Sequence, residues 1–165
     1  MKWRAAVAVV MTGASLVGAA HSAEGDHAVR AHGVQLTSPE GWSRVEPPLE
    51  PASADPRTLL VVGTKGVRAI DTACQVSSYR VPADGAVVVV LGWRPPSAGV
   101  TLLPVSSMKL RRETFECFDG RGAVGQLARG GRDFQVNVMV GDRADTDVVA
   151  AALAVARSFT LAQRG

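Results

Sequence analysis

Aromatic side chains are scarce in this sequence. Phe, Trp and Tyr together make up 5% of the chain, and there is a single tyrosine. Apolar residues still account for 47%, which argues against a disordered chain and leaves a core of valine, leucine and alanine. With 165 residues, the chain has the length of one domain.

Catalytic and cofactor motifs are also lacking. Ser106, Ser107 and His32 are the best material for a serine hydrolase, but no G-x-S-x-G motif is present and no histidine follows in the later chain. The Gly63–Gly66 turn does not match a phosphate-binding loop, because its glycines are too close and its lysine precedes the second glycine. We therefore predict no catalytic residue, no cofactor and no metal ion.

Histidines do not offer a metal site either. His27 and His32 lie five residues apart, a spacing that places them on different faces of a helix or of a strand. Both histidines are far in sequence from the two cysteines, whereas zinc sites gather four ligands with local spacing. We interpret them as solvated residues near the N-terminus.

The first 23 residues have the pattern of a secretory signal peptide. Lys2 and Arg4 precede an uncharged, small-residue apolar run from Ala5 to Ala20, and small residues around Ala23 suit a signal peptidase. A transmembrane anchor is the alternative, but this run is shorter than the ~20 residues that span a bilayer. No cysteine follows it that could carry a lipid. The predicted location is therefore secreted or extracytoplasmic, in a periplasm or cell wall.

Lysine is rare and most bases are arginine, which indicates a GC-rich bacterial genome more than a function. The net charge is +3, and cleavage after the leader leaves +1, because the leader contains two bases and no acid. A nearly neutral mature domain gives no electrostatic case for binding nucleic acid. It also has no stable membrane span, so an unknown protein or small ligand at the cell envelope is the expected partner.

Only two cysteines are present, Cys74 and Cys117. In an oxidising compartment such a pair is typical of one disulfide bond. Closing a loop of about 43 residues would stabilise the fold by roughly 4 kcal/mol at most. Two buried free thiols, or a reactive or metal-binding pair, remain the alternatives.

The chain is organised around Arg111–Phe159. This stretch predicts a strand over Arg111–Phe118, a turn at Asp119–Gly122, a strand over Ala123–Arg129 and a hairpin at Gly130-Gly131. Alternation in Arg132–Val140 indicates a half-buried strand, whose Phe134, Val136, Val138 and Val140 share one face. Asp145 is a good N-cap for a helix that carries Val148, Ala152, Val155 and Phe159 on its buried side.

The earlier part of the chain supplies further strands. Gly33–Thr37 alternates as a short strand and precedes a Ser38–Gly41 turn. Thr58–Gly63 is an apolar strand, and Gln75–Trp93 predicts a hairpin with a tight turn at Pro82–Gly85. The Leu59–Trp93 strands should join Arg111–Phe159 in the same sheet, with Cys74–Cys117 as the covalent link. We thus predict an α+β fold, a single, largely antiparallel sheet with a C-terminal helix packed on it. A second helix is an optional addition in this prediction.

Domain boundaries follow from this pattern. Residues 1–23 are the signal peptide, residues 24–32 form a loose leader, and residues 33–163 form a single globular domain. Two proline-rich loops, Arg44–Arg57 and Arg94–Gly99, interrupt the domain. We predict partner contacts at Trp42, Trp93 and Arg94, which flank these loops, although a lone tryptophan such as Trp42 is more often a core residue.

Both ends of the mature chain resemble the PsbP-like α/β/α sandwich group of exported and lipid-anchored proteins. The resemblance is carried by Val34–Leu36 leading into Ser38-Pro39-Glu40-Gly41-Trp42, and by Phe134–Val140 followed by Val148–Phe159 with its Ser-Phe end. The middle of the chain, with both cysteines, departs from that pattern. The resemblance implies a binding or assembly-assisting module and no shared catalytic residues.

Taken together, the sequence predicts an exported, non-enzymatic binding or accessory domain of unknown partner, held by one disulfide. An enzyme with an unrecognised site is one alternative. Its candidate residues are Tyr79, Asp71, Arg80, Arg111 and Arg112. A structural envelope protein that retains its leader as an anchor is the other.

Overall fold

The computed structural model describes residues 25–48, 55–70, 73–76, 78–93, 104–115 and 118–162. Within these ranges the fold is α+β, mostly antiparallel sheet with one C-terminal helix. The strands are β1 (His27–Ala31), β2 (Val34–Ser38), β3 (Trp42–Arg44), β4 (Arg57–Thr64), β5 (Arg68–Ala69), β6 (Tyr79–Arg80), β7 (Ala86–Trp93), β8 (Arg111–Phe115), β9 (Phe118–Arg129), β10 (Arg132–Val140) and β11 (Thr160–Leu161); the helix is α1 (Thr146–Arg157).

The largest sheet has six strands in the order β3-β4-β7-β10-β9-β8. Its centre is β7, whose residues 86–92 are all buried, as the continuous run of valines predicts for a strand covered on both faces. Thus β4 and β7 of the Leu59–Trp93 region join the Arg111–Phe159 strands in one sheet, with β7 paired to β10, whereas β5 and β6 of that region do not belong to it.

The prediction of a single sheet is wrong. β1, β2 and β11 form a separate three-stranded sheet, and β5 and β6 form a two-stranded ribbon. In β2 the side chains alternate between buried and half-buried, with Val34, Leu36 and Ser38 fully buried. Such a strand has one core face, so the small sheet packs its face onto the large sheet instead of extending the edge.

The N-terminal residues show another difference from the sequence analysis. Residues His27–Ala31, expected in a loose leader, form β1 and pair antiparallel with β2, Ala31 opposite Val34. The reason is the two-residue turn at His32-Gly33, where both residues have positive φ, 47° and 79°, as this class of hairpin requires. Val29 is buried in the core and holds the strand in place.

Two predicted hairpin features are also corrected. Residues Asp119–Gly122 do not turn the chain; they belong to β9, which runs unbroken over twelve residues. The Gln75–Trp93 hairpin is absent from the described residues, because β6 pairs with β5 and β7 pairs with β4 and β10. The Gly130-Gly131 hairpin is confirmed, with Arg129 opposite Arg132.

The helix follows the sequence analysis. The Asp145 carboxylate accepts a hydrogen bond from the Val148 N–H at 2.8 Å, as an N-cap should. Ala152, Val155 and Ala156 are buried against the large sheet, and Phe159 packs beside Phe134. In place of a second α-helix, the described residues contain only a 3₁₀ turn at Val105–Ser107.

Two apolar clusters lie on opposite faces of the large sheet. The inner cluster joins that sheet to the small sheet, the helix and the 3₁₀ turn, and includes Leu36, Val88, Val138 and Val155. The outer cluster is smaller and joins Val61, Val89 and Met139 to Val76 and Tyr79, which cover the sheet from the segment around β6.

Candidate functional site

The predicted partner contacts do not form one surface among the described residues. Trp42 is only 8% exposed and belongs to the inner cluster, so it offers little surface to a partner. This agrees with the core interpretation of a lone tryptophan. Trp93 is half-buried beside the outer cluster, and Arg94 lies outside the described residues.

Cys74 is buried, at 6% exposure, two residues before Val76 of the outer cluster. Its segment is fixed to the start of β4, because the Gln75 side chain donates a hydrogen bond to the Pro56 carbonyl. Cys117 lies outside the described residues. The Cys74–Cys117 disulfide therefore stays a prediction, and so does the signal peptide, which also lies outside.

The candidate enzyme residues are not gathered into one place. Tyr79 and Arg80 are neighbours on β6, but Tyr79 is buried and Arg80 is exposed. Arg111 and Arg112 are exposed at the start of β8, at one edge of the large sheet, and Asp71 lies outside the described residues.

Tyr79 carries a buried phenol hydroxyl, and no other candidate catalytic residue lies beside it among the described residues except Arg80, which is exposed. Burial raises the pKa of its phenol far above the usual range, while the nearby Thr58 side chain acts in the opposite direction. No partner with good hydrogen-bond geometry for the Tyr79 hydroxyl is present among the described residues. Its neutral form is therefore stabilised, which suits a packing residue.

The described residues contain no group of three or more His, Cys, Asp and Glu side chains that could hold a metal ion. They also contain no helix with the length and apolarity to cross a membrane.

A pocket of about 220 Å³ lies between the two larger sheets, at the end where β4 and β10 begin and β7 ends. We call it the arginine pocket. Its lining residues are His32, Arg57, Leu59, Gly92 and Arg132. His32 comes from the β1–β2 turn, and the other four come from the three central strands of the large sheet.

Strand direction explains why the two arginines meet. β4 and β10 both pair antiparallel with β7, one on each side, so their first residues lie at the same end of the sheet. Arg57 is the first residue of β4, and Arg132 is the first residue of β10. Gly92 of β7 pairs with Arg57 on one side and with Phe134 on the other.

Gly92 leaves the space in which the pocket forms. A Cβ atom at this position would lie 2.6 Å from Leu59 Cδ1 and 3.3 Å from Arg132 Nη2. Since real Cβ atoms do not approach carbon atoms so closely, any larger residue would displace both side chains. The missing side chain therefore brings Leu59 and Arg132 together over the β7 backbone.

The Arg132 guanidinium packs against the aromatic ring of Phe134. Its Cζ lies 5.2 Å from the centre of the Phe134 ring, a cation–π contact, and that ring packs against Phe159 with centroids 5.2 Å apart. Arg132 Nε is buried, yet it has no hydrogen-bond partner among the described residues. A buried donor without an acceptor costs free energy, which makes Arg132 the exceptional group of the pocket.

The charged side chains among the described residues that line the pocket are of one sign. Arg129 pairs directly with Arg132 across the Gly130-Gly131 hairpin, so the two side chains share a face. Neither Arg57 nor Arg132 forms an ion pair with a described residue, and the lining residues include no carboxylate. Asp133 is next in sequence, but consecutive strand residues point to opposite faces.

The arginine pocket was not identified from the sequence. The available signal was an arginine just before each of two apolar strands: Arg57 directly before Thr58–Gly63, and Arg132 two residues before Phe134–Val140. That pattern predicts a pocket with two arginines only once both strands are known to pair with β7, one on each side. In the sequence, His32 stands out only as a weak metal ligand beside His27 or as a possible partner of Ser106 and Ser107.

Comparison with known proteins adds no family assignment. No family model matches the chain, and no curated protein matches it significantly. The chemistry of the arginine pocket is therefore the basis for a functional interpretation.

Proposed function

We propose that the protein is an exported, non-enzymatic binding or accessory domain, and that the arginine pocket is its binding site. One observation carries this proposal: among the described residues, the polar side chains that line the pocket are two arginines and a histidine, with no carboxylate, hydroxyl or thiol. Arginine remains protonated at physiological pH and acts as a fixed donor. Such a set suits holding a ligand better than proton transfer or nucleophilic attack, which need a base or a nucleophile.

The position of the pocket supports the same proposal. It is open to solvent between two packed sheets, and four of its five lining residues belong to paired strands. Side chains on paired strands are held more precisely than those on loops. The binding groups are thus preorganised, which lowers the entropy cost of binding.

Export and the disulfide are part of the proposal. The signal-peptide pattern in residues 1–23 would direct the protein out of the cytoplasm. A Cys74–Cys117 bond would fix the segment whose Val76 and Tyr79 cover the outer cluster. The resemblance to the PsbP-like group, whose members are binding or assembly modules, agrees with this assignment. The alternatives are an enzyme with an unrecognised site and an envelope protein that keeps its leader.

The first experiment tests export. The full chain is expressed in a bacterial host, and the envelope fraction is analysed by N-terminal sequencing and intact mass. We expect a start near Ala23–Gly25, a mass lower by two hydrogens than the reduced chain, and a peptide that links Cys74 with Cys117. A cytoplasmic product with its leader intact would contradict export, and two free thiols would contradict the disulfide.

The second experiment tests the site. The mature domain is incubated with envelope extract and examined by native mass spectrometry, beside Arg57→Gln and the control Arg143→Gln, which changes an exposed arginine at the other end of the sheet. We expect a bound species that Arg57→Gln loses and Arg143→Gln retains. Equal binding by both variants would place the site elsewhere, and chemical conversion of the bound species would favour an enzyme.

A further inference from the structure

We infer that the arginine pocket binds an anionic oxygen group, a carboxylate or a phosphate, with Arg132 as its principal donor. This inference rests on the proposed function, because it names the ligand class of the same site. It is drawn from four features: the orphaned Arg132 donor, the charge of one sign, the pocket volume and the apolar wall.

The orphaned donor is the strongest of these features. Arg132 Nε is buried without an acceptor among the described residues, although buried polar groups in proteins are nearly always hydrogen-bonded. The aromatic ring of Phe134 occupies one face of the guanidinium and leaves its edge available for hydrogen bonds. Nε itself has almost no accessible surface, so a ligand oxygen in the pocket would first meet the terminal nitrogens of the guanidinium, of which Nη2 lies beside Gly92, and would reach Nε when the side chain turns toward the pocket.

The positive charge of the arginines in the pocket favours a negatively charged ligand. Arg57 and Arg132 line the same pocket, and Arg129 lies directly opposite Arg132 on the neighbouring strand. Like charges at directly opposed positions repel and destabilise an antiparallel pair. An anion in the pocket would be attracted to both Arg57 and Arg132, and it would offset the repulsion between Arg132 and Arg129.

The volume limits how much of a ligand can enter. Pockets for drug-sized ligands measure roughly 300–1,000 Å³, whereas this pocket measures about 220 Å³. Leu59 and the Gly92 backbone form an apolar wall beside the two guanidinium groups. The pocket therefore accepts a small anion, or the acidic group of a larger molecule with the short apolar stem next to it.

The test uses the mature domain with isotope-labelled backbone amides. Inorganic phosphate, acetate and a short peptide that ends in glutamate are titrated separately, with the amidated glutamine peptide as the uncharged counterpart. We expect saturable shifts at the amides of His32, Gly92 and Arg132 with the anions and none with the amidated peptide. Tighter binding of the peptide than of acetate would identify an acidic peptide group as the source; equal or weaker binding would identify a free small anion.

Arg132→Lys is the decisive variant, because lysine keeps the charge but lacks the Nε donor and the planar fork. We expect it to weaken binding by about tenfold or more, the usual effect of losing a hydrogen bond to a charged group. Arg129→Gln should weaken binding less, and Arg143→Gln should leave it unchanged. Thermal unfolding of each variant, without ligand, verifies that the fold is intact.

Two outcomes would overturn the inference. One is wild-type affinity in Arg132→Lys, and the other is the absence of any anion-dependent shift at Gly92. If envelope material binds the pocket under those conditions and is lost in Arg57→Gln, the proposed function stands while the anionic ligand is rejected. If anions bind as expected but the domain chemically converts its ligand or stays in the cytoplasm, the ligand class stands and the proposed function falls.

Discussion

The two ends of strands β4, β7 and β10 differ in how their polar groups are satisfied. At one end lie Arg57, Gly92 and Arg132, which we call the arginine end. At the other end lie Thr64, Ala86 and Val140, where turns close the sheet, and we call it the turn end. The same three strands therefore present two very different surfaces.

The turn end is satisfied within the chain. The Thr64 hydroxyl accepts a hydrogen bond from the Ala86 N–H at 3.1 Å and donates to the Ala86 carbonyl at 3.4 Å. The Gly141 N–H donates to the Gly85 carbonyl at 2.9 Å, and the Arg143 N–H donates to the Ala83 carbonyl at 2.7 Å. These bonds join the Pro82–Gly85 turn to the segment that leads into the helix.

The arginine end has the opposite character, since it contains a buried donor without an acceptor and cations without described ion pairs. Strand pairing alone therefore does not provide hydrogen-bond partners for all polar groups at the end of a sheet. At one end tight turns supply partners from the chain, and at the other end we propose that a ligand supplies them. The variants Gly141→Ala, Gly92→Ala and Thr64→Val test this difference, and a fourth prediction concerns Tyr79 on the outer face near the arginine end.

The largest effect is expected from Gly141→Ala at the turn end. Its new Cβ would lie far inside contact distance of the Pro82 and Ala83 carbonyl oxygens, and these are backbone atoms in a hydrogen-bonded turn. Since that backbone cannot move without breaking the turn, we expect a loss of about 3 kcal/mol in the free energy of unfolding. Urea unfolding measures it.

The matched variant at the arginine end is Gly92→Ala. Its Cβ would meet the side-chain ends of Leu59 and Arg132, which can rotate away, so we expect a loss of only about 1 kcal/mol. The same rotation should abolish anion binding in the arginine pocket. Equal losses of stability for Gly141→Ala and Gly92→Ala would contradict the comparison.

The next effect concerns alkaline pH. Tyr79 is buried beside Thr58, close to the arginine end but on the outer face, and burial raises the pKa of its phenol above the ordinary value of 10.0. Below that pH both states hold the proton. Above it the unfolded chain releases the proton that the folded chain retains, so stability falls with rising pH by up to ~1.4 kcal/mol per pH unit.

Because Tyr79 is the single tyrosine, ultraviolet absorbance of tyrosinate follows it directly. In the pH range just above the ordinary tyrosine pKa of 10.0, the Tyr79 phenol should stay protonated in the folded protein and ionise in the unfolded protein. Tyr79→Phe should remove most of the difference in stability between neutral pH and alkaline pH. Ionisation of the native protein near the ordinary pKa would show that the phenol is solvated and the prediction wrong.

The smallest effect is expected from Thr64→Val at the turn end. Valine has the same shape but cannot bond with Ala86, so the loss should be about 1 kcal/mol. Thr64→Ser keeps the hydroxyl and should retain most of the stability. Thermal unfolding compares the two, and a serine variant as weak as the valine variant would show that the Thr64 methyl group matters more than its hydrogen bonds.

Local patterns predicted the regular elements well. The strand predicted over Arg132–Val140, the valines of β7 and the Asp145 N-cap all correspond to elements in the structure. The prediction that the Arg132–Val140 strand is half-buried is wrong, since Asn137 and Met139 on its other face are 0% exposed under the outer cluster. The Ser38–Gly41 turn is confirmed with a shift of one residue, since the Trp42 N–H donates to the Pro39 carbonyl and Gly41 has a φ of 79°. These features depend on neighbours in the chain, so a single sequence contains them.

Pairing between distant strands was predicted less well. The turn expected at Asp119–Gly122 was placed on its glycines, yet β9 continues through them because β8 and β10 pair with it on both sides. The small sheet was missed because its three strands come from both ends of the described chain, with β11 adding to β2. Propensity gives way where tertiary pairing stabilises the other conformation.

The sequence by itself determined the class of fold, the central strand, the closing helix and the prediction of export, because periodicity, capping and leader composition are local properties. Only the tertiary structure decided that Arg57 and Arg132 meet. Each arginine merely precedes an apolar strand in the sequence, and the two are 75 positions apart. They become neighbours because both strands pair antiparallel with β7, and the missing side chain of Gly92 leaves room for a pocket between them.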